Sequence, residues 1–377
     1  MKCIVNGKII LKDSVLENYV VIFDDRIKNI LPKENVDVSE YESIDAKGKF
    51  VAPGLIDMHI HGYLGADASD GNCDAIKIIA EGIIRNGVTS WCPTTMTLPV
   101  AEIEAAFDSV REVKGSNEYY GARILGINCE GPFISPLKKG AQAEEHIKKP
   151  DAEFIKKHSD ILKLFTVAPE VCGALDCIKS VKTETDVVIS MGHTNATFEE
   201  AKEGISAGVT HTTHLFNVMT PLSHRNPGVV GAALADKSVS VEFIADTFHI
   251  DKGLFGLVAE IKKDKLCLIT DCMSAGGMPD GEYALGGQAV TKKGIACRLS
   301  DGTIAGSVLK LNEAVRNLYE NSDLEIYEAI NCASLNPAKV LGEDSEIGSI
   351  ECGKRADMII IDEKFEVETV ILNGEIR

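Results

Sequence analysis

The sequence of 377 residues lacks any apolar run near the roughly 20 residues that a membrane-spanning helix requires. Its opening stretch, Met1–Gly7, carries no long apolar core of the kind found in signal peptides. The eleven cysteines are scattered, odd in number and include no Cys-X-X-Cys pair, which argues against a disulfide framework or a cysteine zinc knot. We therefore expect a cytoplasmic protein with no membrane partner.

Basic residues are also scarce. There are 39 lysines and arginines against 57 acidic residues, which gives a formal net charge of −18. A charge of this sign repels nucleic acid and anionic membranes, so neither is expected as a partner. If the substrate is an anion, a few local cations must overcome that background.

What the centre of the sequence does contain is a regular alternation of strand and helix patterns. Eight segments have the pattern of buried strands: Leu55–His61, Val88–Cys92, Ile124–Glu130, Leu164–Ala168, Val187–His193, Val209–His214, Val239–Ala245 and Leu266–Asp271. Amphipathic segments lie between them, among them Cys73–Arg85, Glu102–Val113, Leu175–Lys182, Thr197–Ala207 and Leu254–Lys262. Strands that alternate with helices form parallel βαβ units, so eight of them predict a closed (β/α)₈, TIM-like barrel.

Both ends of the chain are rich in strand patterns instead. Asn6-Gly7 lies between the apolar segments Cys3–Val5 and Lys8–Leu11 and predicts a hairpin. Asp24–Arg26 lies between two further strand segments and predicts a second turn.

These patterns predict two domains. Residues 1–50 and 345–377 are expected to pair as a small β-sandwich domain built from both chain termini, and residues 51–344 to form the barrel. The Gly- and Asp-rich stretch 276–306 interrupts the barrel pattern and is expected to be a hairpin-like excursion on its last crossover.

The stretch Val51–Gly62 contains the first candidate functional residues. Pro53 and Gly54 break the preceding structure, and the next residues alternate between apolar and polar as a strand does. Residues two apart on a strand point the same way, so His59 and His61 should project side by side. Two neighbouring imidazoles are a suitable beginning for a divalent metal site.

Further polar residues stand at the ends of other predicted strands. The whole set comprises His59, His61, Glu130, His193, His214 and Asp271. Because the carboxyl ends of barrel strands meet at one face, we expect these side chains to converge there. Four histidines and two carboxylates suit Zn²⁺ or Fe²⁺ better than Mg²⁺, which prefers oxygen ligands alone.

Taken one at a time, some of these residues have simpler explanations. His193 alone would suit a core histidine bonded to backbone, and Glu130 alone an exposed loop carboxylate. His211 precedes His214 by three residues, so on a strand it faces the other way and is interpreted as structural. His146 and His158 lie among lysines and glutamates and are expected at the surface.

Three segments after strands six and seven are candidates for substrate contacts. They are Leu215–Met219, the loop His224–Gly228, which carries His224 and Arg225, and Asp246–His249. Arg225 suits a phosphate or carboxylate because its guanidinium donates two parallel hydrogen bonds.

Several stretches together carry a family resemblance. They are Pro53–Gly62, Glu130–Phe133, Ala168–Glu170, Gly192–Thr194, Thr213–Asn217, Thr270–Ala275 and Gly353–Met358. In this combination and order, which runs through nearly the whole chain, the sequence resembles the amidohydrolase superfamily and, more narrowly, its N-acetylglucosamine-6-phosphate deacetylase family. No single stretch would suffice.

The resemblance implies metal-dependent hydrolysis of the acetamide of N-acetylglucosamine 6-phosphate, in amino-sugar catabolism. It implies that Glu130, His193 and His214 hold one divalent cation. His59 and His61 match positions where family members differ, so the number of cations is one or two per subunit, with the glutamate bridging a pair.

The resemblance also implies roles for residues that contact the substrate. Asp271 matches the catalytic acid/base and His249 the group that polarises the amide carbonyl. Gly140 and Ala141 match a loop whose backbone touches the sugar. The matched phosphate contacts are Asn217, the backbone beside it at Val218, where alanine is usual, and Arg225, which family members lend across a homodimer interface.

Two alternatives remain at this stage. One is another reaction of the superfamily, on a cyclic amide or a heterocycle. Dihydroorotase-like members often carry a carbamylated lysine on strand four, and Leu164–Glu170 contains no lysine. The other is a barrel that has lost catalysis and serves for binding, but all six candidate ligand and acid/base positions are filled.

Overall fold

The structure is a computed structural model that describes residues 1–116 and 119–377. Its first strands, in chain order, are β1 (Lys2–Ile10), β2 (Val15–Phe23), β3 (Ile27–Pro32), β4 (Glu42–Asp45), β5 (Phe50–Pro53), β6 (Leu55–Ile60), β7 (Gly62–Tyr63), β8 (Ala66–Asp67), β9 (Val88–Thr95), β10 (Arg123–Ile124) and β11 (Ile127–Cys129). The later strands are β12 (Leu162–Val167), β13 (Val188–Met191), β14 (His211–Thr212), β15 (Ser240–Ile244), β16 (Leu266–Ile269), β17 (Gly281–Leu285), β18 (Gln288–Lys293), β19 (Ala296–Arg298), β20 (Met358–Ile361), β21 (Val367–Leu372) and β22 (Glu375–Ile376).

Helices follow most of the central strands. They are α1 (Cys73–Ile83), α2 (Val100–Gly115), α3 (Ala152–Lys157), α4 (Ala174–Glu184), α5 (Phe198–Ala207), α6 (Gly228–Ala235), α7 (Phe255–Lys262), α8 (Leu311–Glu320), α9 (Ile326–Asn331) and α10 (Leu335–Val340). Within the described parts of the chain, no helix has the length and apolar content needed to cross a membrane.

The centre of the molecule is a nearly closed parallel barrel. Strand β6 pairs with β9, and the ladder continues through β11, β12, β13, β14, β15 and β16. A hydrogen bond of 2.9 Å from the Asp271 amide to the His59 carbonyl oxygen joins β16 to β6. The Asp57 carboxylate also accepts from the Thr270 hydroxyl at 2.7 Å. The predicted (β/α)₈, TIM-like barrel is therefore confirmed.

Local sequence explains most of these elements. The barrel strands β9, β15 and β16 are buried along their whole length because they are covered on both faces, as in other parallel sheets. Helix α5 begins at a capping box formed by Thr197 and Glu200. The unpredicted helix α6 has the sequence Gly-Val-Val-Gly-Ala-Ala-Leu-Ala, and such a uniformly apolar segment shows no helical period.

Most strand ends differ from the sequence prediction by a few residues, and two strands differ more substantially. The third strand is divided into β10 and β11, with two residues between them. The sixth, β14, is only two residues long, because the chain reaches a left-handed backbone conformation at His214, with φ 29°.

The two chain ends form a second sheet. Its order is β22-β21-β20-β5-β1-β2-β3, with β4 paired to β1, and its core includes Phe23, Val51 and Ile360. The predicted small β-sandwich from both termini is confirmed in this sheet. The Arg123 guanidinium pairs with the Asp357 carboxylate and joins the sheet to the barrel.

The hairpin predicted at Asn6-Gly7 is wrong. Strand β1 continues through both residues, Asn6 has φ 55°, and the register with β2 shifts on either side of Gly7. The pair is therefore a bulge. A Cβ on Gly7 would lie 2.5 Å from the Val51 side chain, so glycine is what allows β1 to lie against β5.

The segment 276–306 contains the antiparallel strands β17, β18 and β19. It folds over the carboxyl end of the barrel, where the Gln288 side chain donates to the Ala141 carbonyl oxygen. The excursion therefore forms one wall of a cavity at the carboxyl end of the barrel.

Candidate active site

Six side chains converge beyond the carboxyl ends of the barrel strands. They form two groups, and in each group the potential ligand atoms lie within 4.8 Å of one another: His59, His61 and Asp271 in the first, and Glu130, His193 and His214 in the second. The structure thus brings together all six residues that the sequence singled out. All six are at least nine-tenths buried.

Backbone conformation at the strand ends helps to place three of these side chains. His193, His214 and Asp271 have φ angles of 46°, 29° and 50°, which are uncommon for residues other than glycine. Each lies two residues beyond the end of its strand. Strained backbone of this kind is frequent at functional sites.

Glu130 belongs to the second group but also contacts the first. Its Oε1 is 2.8 Å from His214 Nε2 and 3.2 Å from His193 Nε2, and its Oε2 is 3.3 Å from His61 Nε2. On the opposite side, Asp271 Oδ1 lies 3.2 Å from His61 Nε2 and 3.5 Å from His59 Nε2.

This arrangement fits divalent cations. The Nε2 atoms of His59 and His61 are 3.3 Å apart, and those of His193 and His214 are 3.2 Å apart. Two unprotonated nitrogens at such distances repel each other, and a shared cation removes the repulsion. Nitrogen donors mixed with carboxylate oxygens suit Zn²⁺ or Fe²⁺.

The electrostatics of the cluster favour the same conclusion. Burial by itself lowers the pKa of His59, but the charges of Glu242 and Glu130 raise that pKa to about 9. The pKa of Glu130 lies well below its usual range: burial opposes the shift, and the charges of His59 and His193 outweigh it. A cation that binds His59 must therefore displace the proton that this raised pKa favours.

Hydrogen bonds at Nδ1 determine which ring nitrogen of His61 and His193 faces the cluster. His61 Nδ1 lies 3.1 Å from the Thr94 carbonyl oxygen, and His193 Nδ1 lies 3.0 Å from that of Lys138. Because a carbonyl only accepts, each Nδ1 carries the proton and each Nε2 is free to bind a metal.

Two buried residues near the cluster were missed by the sequence analysis. Glu242 Oε2 lies 2.9 Å from His59 Nδ1. Gln142 accepts from the Thr97 amide at 2.6 Å and donates to Glu130 Oε2 at 2.7 Å. The available signal for Glu242 was a charged residue inside an otherwise apolar strand segment. Gln142 had no comparable signal, since its role depends on a loop and a strand end that are distant in sequence.

A cavity of about 260 Å³ opens beside the cluster. It contains most of the predicted substrate-contact residues, namely Gly140, Ala141, Asn217, Val218 and His249. Its remaining wall was not anticipated and consists of Met96, Leu285, Thr303, Ile304 and neighbours, mainly from the excursion. His59 lies beneath the cavity and is fully buried.

The two predicted substrate-contact residues of the loop lie elsewhere. His224 and Arg225 are exposed, and neither lines the cavity. Across residues 1–116 and 119–377, no lysine or arginine is among the residues that line the cavity. Within the described part of one chain, the cavity therefore offers an anion no permanently charged cationic side chain.

His249 is held by the turn that follows β15. Its Nδ1 lies 2.6 Å from Asp246 Oδ2, and the other oxygen of that carboxylate accepts from the His249 amide at 2.8 Å. Because Nδ1 is engaged, Nε2 is the nitrogen left for the cavity.

Of the remaining histidines, His211 agrees with the sequence prediction and His158 does not. His211 bonds Ser240 Oγ at 2.7 Å within the barrel, away from the ligand cluster, in accord with a structural role. His158, expected at the surface, is only 5% exposed. It packs against Phe107 and lies 3.1 Å from Glu104, because the end of α3 docks onto α2.

Comparison with known proteins places this geometry in context. The sequence profile described as the amidohydrolase family matches residues 50–377. The chain is 38% identical to N-acetylglucosamine-6-phosphate deacetylase of Bacillus subtilis, across 98% of this chain and 95% of that protein. It is 37% identical to N-acetylgalactosamine-6-phosphate deacetylase of Escherichia coli, across 87% of this chain and 88% of that protein.

Solved structures show the same likeness. The crystal structure of N-acetylglucosamine-6-phosphate deacetylase from Pasteurella multocida matches with a TM-score of 0.94 and 31% identity, covering 100% of this chain and 99% of that chain. A mutant of the enzyme from Mycobacterium smegmatis, in complex with N-acetyl-D-glucosamine-6-phosphate, matches with a TM-score of 0.91 and 28% identity, covering 100% and 98%.

Proposed function

The chain belongs to the amidohydrolase family, and on that premise we propose that it hydrolyses the acetamide of N-acetyl-D-glucosamine 6-phosphate. The products are D-glucosamine 6-phosphate and acetate. The observation that carries this proposal is the six-residue ligand cluster beside a small cavity, in a chain similar over nearly its full length to deacetylases of that substrate.

The reaction needs a strong nucleophile and an activated amide. A divalent cation, when bound by this cluster, supplies both by lowering the pKa of water toward neutrality and by polarising the carbonyl oxygen. Asp271 is placed to accept a proton from water and to return it to the leaving nitrogen. In the metal-free protein, burial raises the pKa of Asp271, but the hydrogen bond to His61 and the charge of His59 outweigh it and lower that pKa.

His249 assists at the carbonyl oxygen. Its Nε2 faces the cavity while Asp246 holds the Nδ1 proton, so His249 donates a hydrogen bond to the developing negative charge only as the imidazolium, whose charge the Asp246 carboxylate balances. The apolar wall of Met96, Leu285 and Ile304 limits the space around the acetyl group and reduces access of bulk water.

The metal is a divalent cation, and its identity and number belong to the proposal. Zn²⁺ or Fe²⁺ would be held by Glu130, His193 and His214. The pair His59 and His61 provides a second position that shares Glu130, so the capacity is one or two cations per subunit.

Phosphate recognition favours a permanent positive charge, and the described residues that line one chain's cavity include no lysine or arginine. Asn217 and the backbone at Val218 line the cavity and can donate hydrogen bonds. We assign the missing charge to Arg225, with His224 beside it, donated by the second subunit of a homodimer. Given the net charge of −18, close contacts of this kind must overcome long-range repulsion.

The rest of the organisation follows from the same proposal. Residues 51–344 form the catalytic barrel, with the excursion near 276–306 above it, and residues 1–50 and 345–377 the small β domain. The protein acts in the cytoplasm, in amino-sugar catabolism, without nucleic acid or membrane partners.

One alternative within the superfamily meets a specific obstacle. Strand β12 does contain a lysine, Lys163, just before the segment that the sequence analysis considered. Its Nζ bonds Glu343 at 2.7 Å, far from the ligand cluster, so it is not a metal-bridging lysine of the dihydroorotase type.

The test is a set of kinetics on matched sugars. The metal content of the purified protein is measured first. The protein should then release acetate from N-acetylglucosamine 6-phosphate, and it should release much less from unphosphorylated N-acetylglucosamine. N-acetylgalactosamine 6-phosphate belongs in the panel because a relative acts on it. Preferred turnover of a cyclic amide, or no acetate from any sugar at full metal loading, would refute the proposal.

A further inference from the structure

Glu242 is a fully buried carboxylate in the middle of β15. Its neighbours along the strand, Val241 and Phe243, are fully buried apolar residues. An ionised carboxylate is costly in such a place unless bonds and opposite charges compensate it. The groups that contact Glu242 therefore indicate its role.

The contacts of Glu242 reach both groups of metal-ligating residues. Its Oε2 lies 2.9 Å from His59 Nδ1, in the first group. The same oxygen accepts from the backbone amide of His214, in the second group, at 3.0 Å. Its Oε1 lies 3.3 Å from Nε2 of the structural His211.

The contact with His59 fixes the tautomer of that ring. An ionised carboxylate only accepts hydrogen bonds, so the proton of the neutral imidazole must reside on Nδ1. The lone pair of Nε2 then faces His61, Glu130 and Asp271, as a metal ligand requires. His59 is the only one of the four cluster histidines in the described chain whose outer nitrogen contacts a carboxylate.

We propose that Glu242 is a positioning residue that makes His59 a competent ligand and thereby determines how tightly the second cation, at His59 and His61, is held. The inference rests on the proposed function, because it presupposes a metal centre. Carboxylates behind a metal-bound imidazole orient the ring and raise its basicity, and their loss typically weakens metal binding by about 10–100-fold.

The experiment is a zinc titration of Glu242→Gln against the wild type. Both proteins are stripped of metal and dialysed against buffered free Zn²⁺, and bound zinc per subunit is measured. The wild type should bind two ions in separable steps. The variant should keep the tighter step and lose about 10–100-fold in the weaker one.

Two further variants make the result specific. Ser240→Ala, on the same strand, removes the partner of His211 without touching a ligand, and its zinc isotherm should match that of the wild type. In a His59→Asn background, Glu242→Gln should change zinc binding no further, because its effect passes through His59.

Folding is checked by thermal unfolding of each metal-free protein. If Glu242→Gln does not fold, Glu242→Asp replaces it, since it keeps the charge but withdraws it from His59 and should weaken the same step. A folded Glu242 variant with both zinc steps unchanged, or a wild type that binds a single ion at saturation, overturns the inference. Two-step zinc binding by a wild type that releases no acetate would refute the proposed function and leave this inference standing.

Discussion

The two halves of the metal cluster have similar ligands but differ in what holds them in place. In the group of His59, His61 and Asp271, the first ring is backed by the buried charge of Glu242. In the group of Glu130, His193 and His214, the side chains have neutral support: His193 is backed by a carbonyl oxygen and Glu130 by the amide of Gln142, while Glu242 contacts this group only at the His214 backbone amide.

This difference has a consequence for robustness. A ligand held by a backbone carbonyl or an amide needs no compensating charge, because those groups are neutral. A ligand held by a buried carboxylate depends on that carboxylate staying ionised and paired. We therefore expect the first half to lose its cation more readily than the second, and four variants test how far the halves can be separated.

The largest effect is expected from Asp271, which belongs to the first half but acts on protons. Asp271→Asn keeps the size of the side chain and removes the base, so kcat should fall by about 10²–10⁴-fold. Zinc content should stay nearly unchanged if Asp271 serves chiefly as a base. Metal analysis and steady-state kinetics on one preparation measure both. Near-normal turnover would contradict the assignment.

Arg225 lies outside both halves and serves as a control for them. Arg225→Met removes the guanidinium and should cost about 2–5 kcal/mol in binding the phosphorylated sugar, because charged hydrogen bonds are lost. Zinc content should not change. The penalty should nearly vanish for unphosphorylated N-acetylglucosamine, and an equal loss on both sugars would refute the phosphate role.

The proposed homodimer allows a second measurement on the same variant. If Arg225 reaches the partner's cavity, mixing Arg225→Met with Asp271→Asn should restore part of the activity, because each mixed dimer contains one complete site. Confirmed subunit exchange without recovered activity would place Arg225 in its own subunit's site.

Removing the two histidines of the first half separates the cations directly. The double variant His59→Asn with His61→Asn should lose one ion of two and retain the one at Glu130, His193 and His214. Zinc per subunit, measured after dialysis, distinguishes the outcomes. A double variant as fully loaded as its parent would show that the halves do not bind separate ions.

The smallest effect is expected at Gln142. Gln142→Leu leaves the Glu130 charge in place but removes the amide that orients it, together with the acceptor for the Thr97 amide. We expect about 10-fold weaker zinc binding, the low end for a supporting residue, in both halves together because they share Glu130. A loss confined to one step of the isotherm would contradict the sharing of Glu130.

Much of this site could be anticipated from sequence because the relevant patterns are local. Alternation with period two fixes which side chains share a face of β6, so His59 and His61 could be paired without coordinates. The carboxyl ends of parallel barrel strands always meet at one face, so strand-ending residues such as Glu130 and His214 could be grouped.

Other features could not be anticipated because they depend on neighbours that are distant in the chain. Asn6-Gly7 has the composition of a turn, yet it is a bulge because β1 also pairs with β4 and β5. The exposed position of Arg225, outside the cavity, follows from how its loop leaves the barrel rather than from any pattern within it.

By itself, the sequence determined the barrel, the β domain from both termini and the identity of the six converging side chains, because each depends on periodicity and on where strands end. Only the tertiary structure decided what stands behind those side chains. Glu242 is 183 residues from His59, and Gln142 is 45 residues from Thr97. Hydrogen bonds need partners within about 3 Å, and whether such partners meet depends on how the strands and loops pack together.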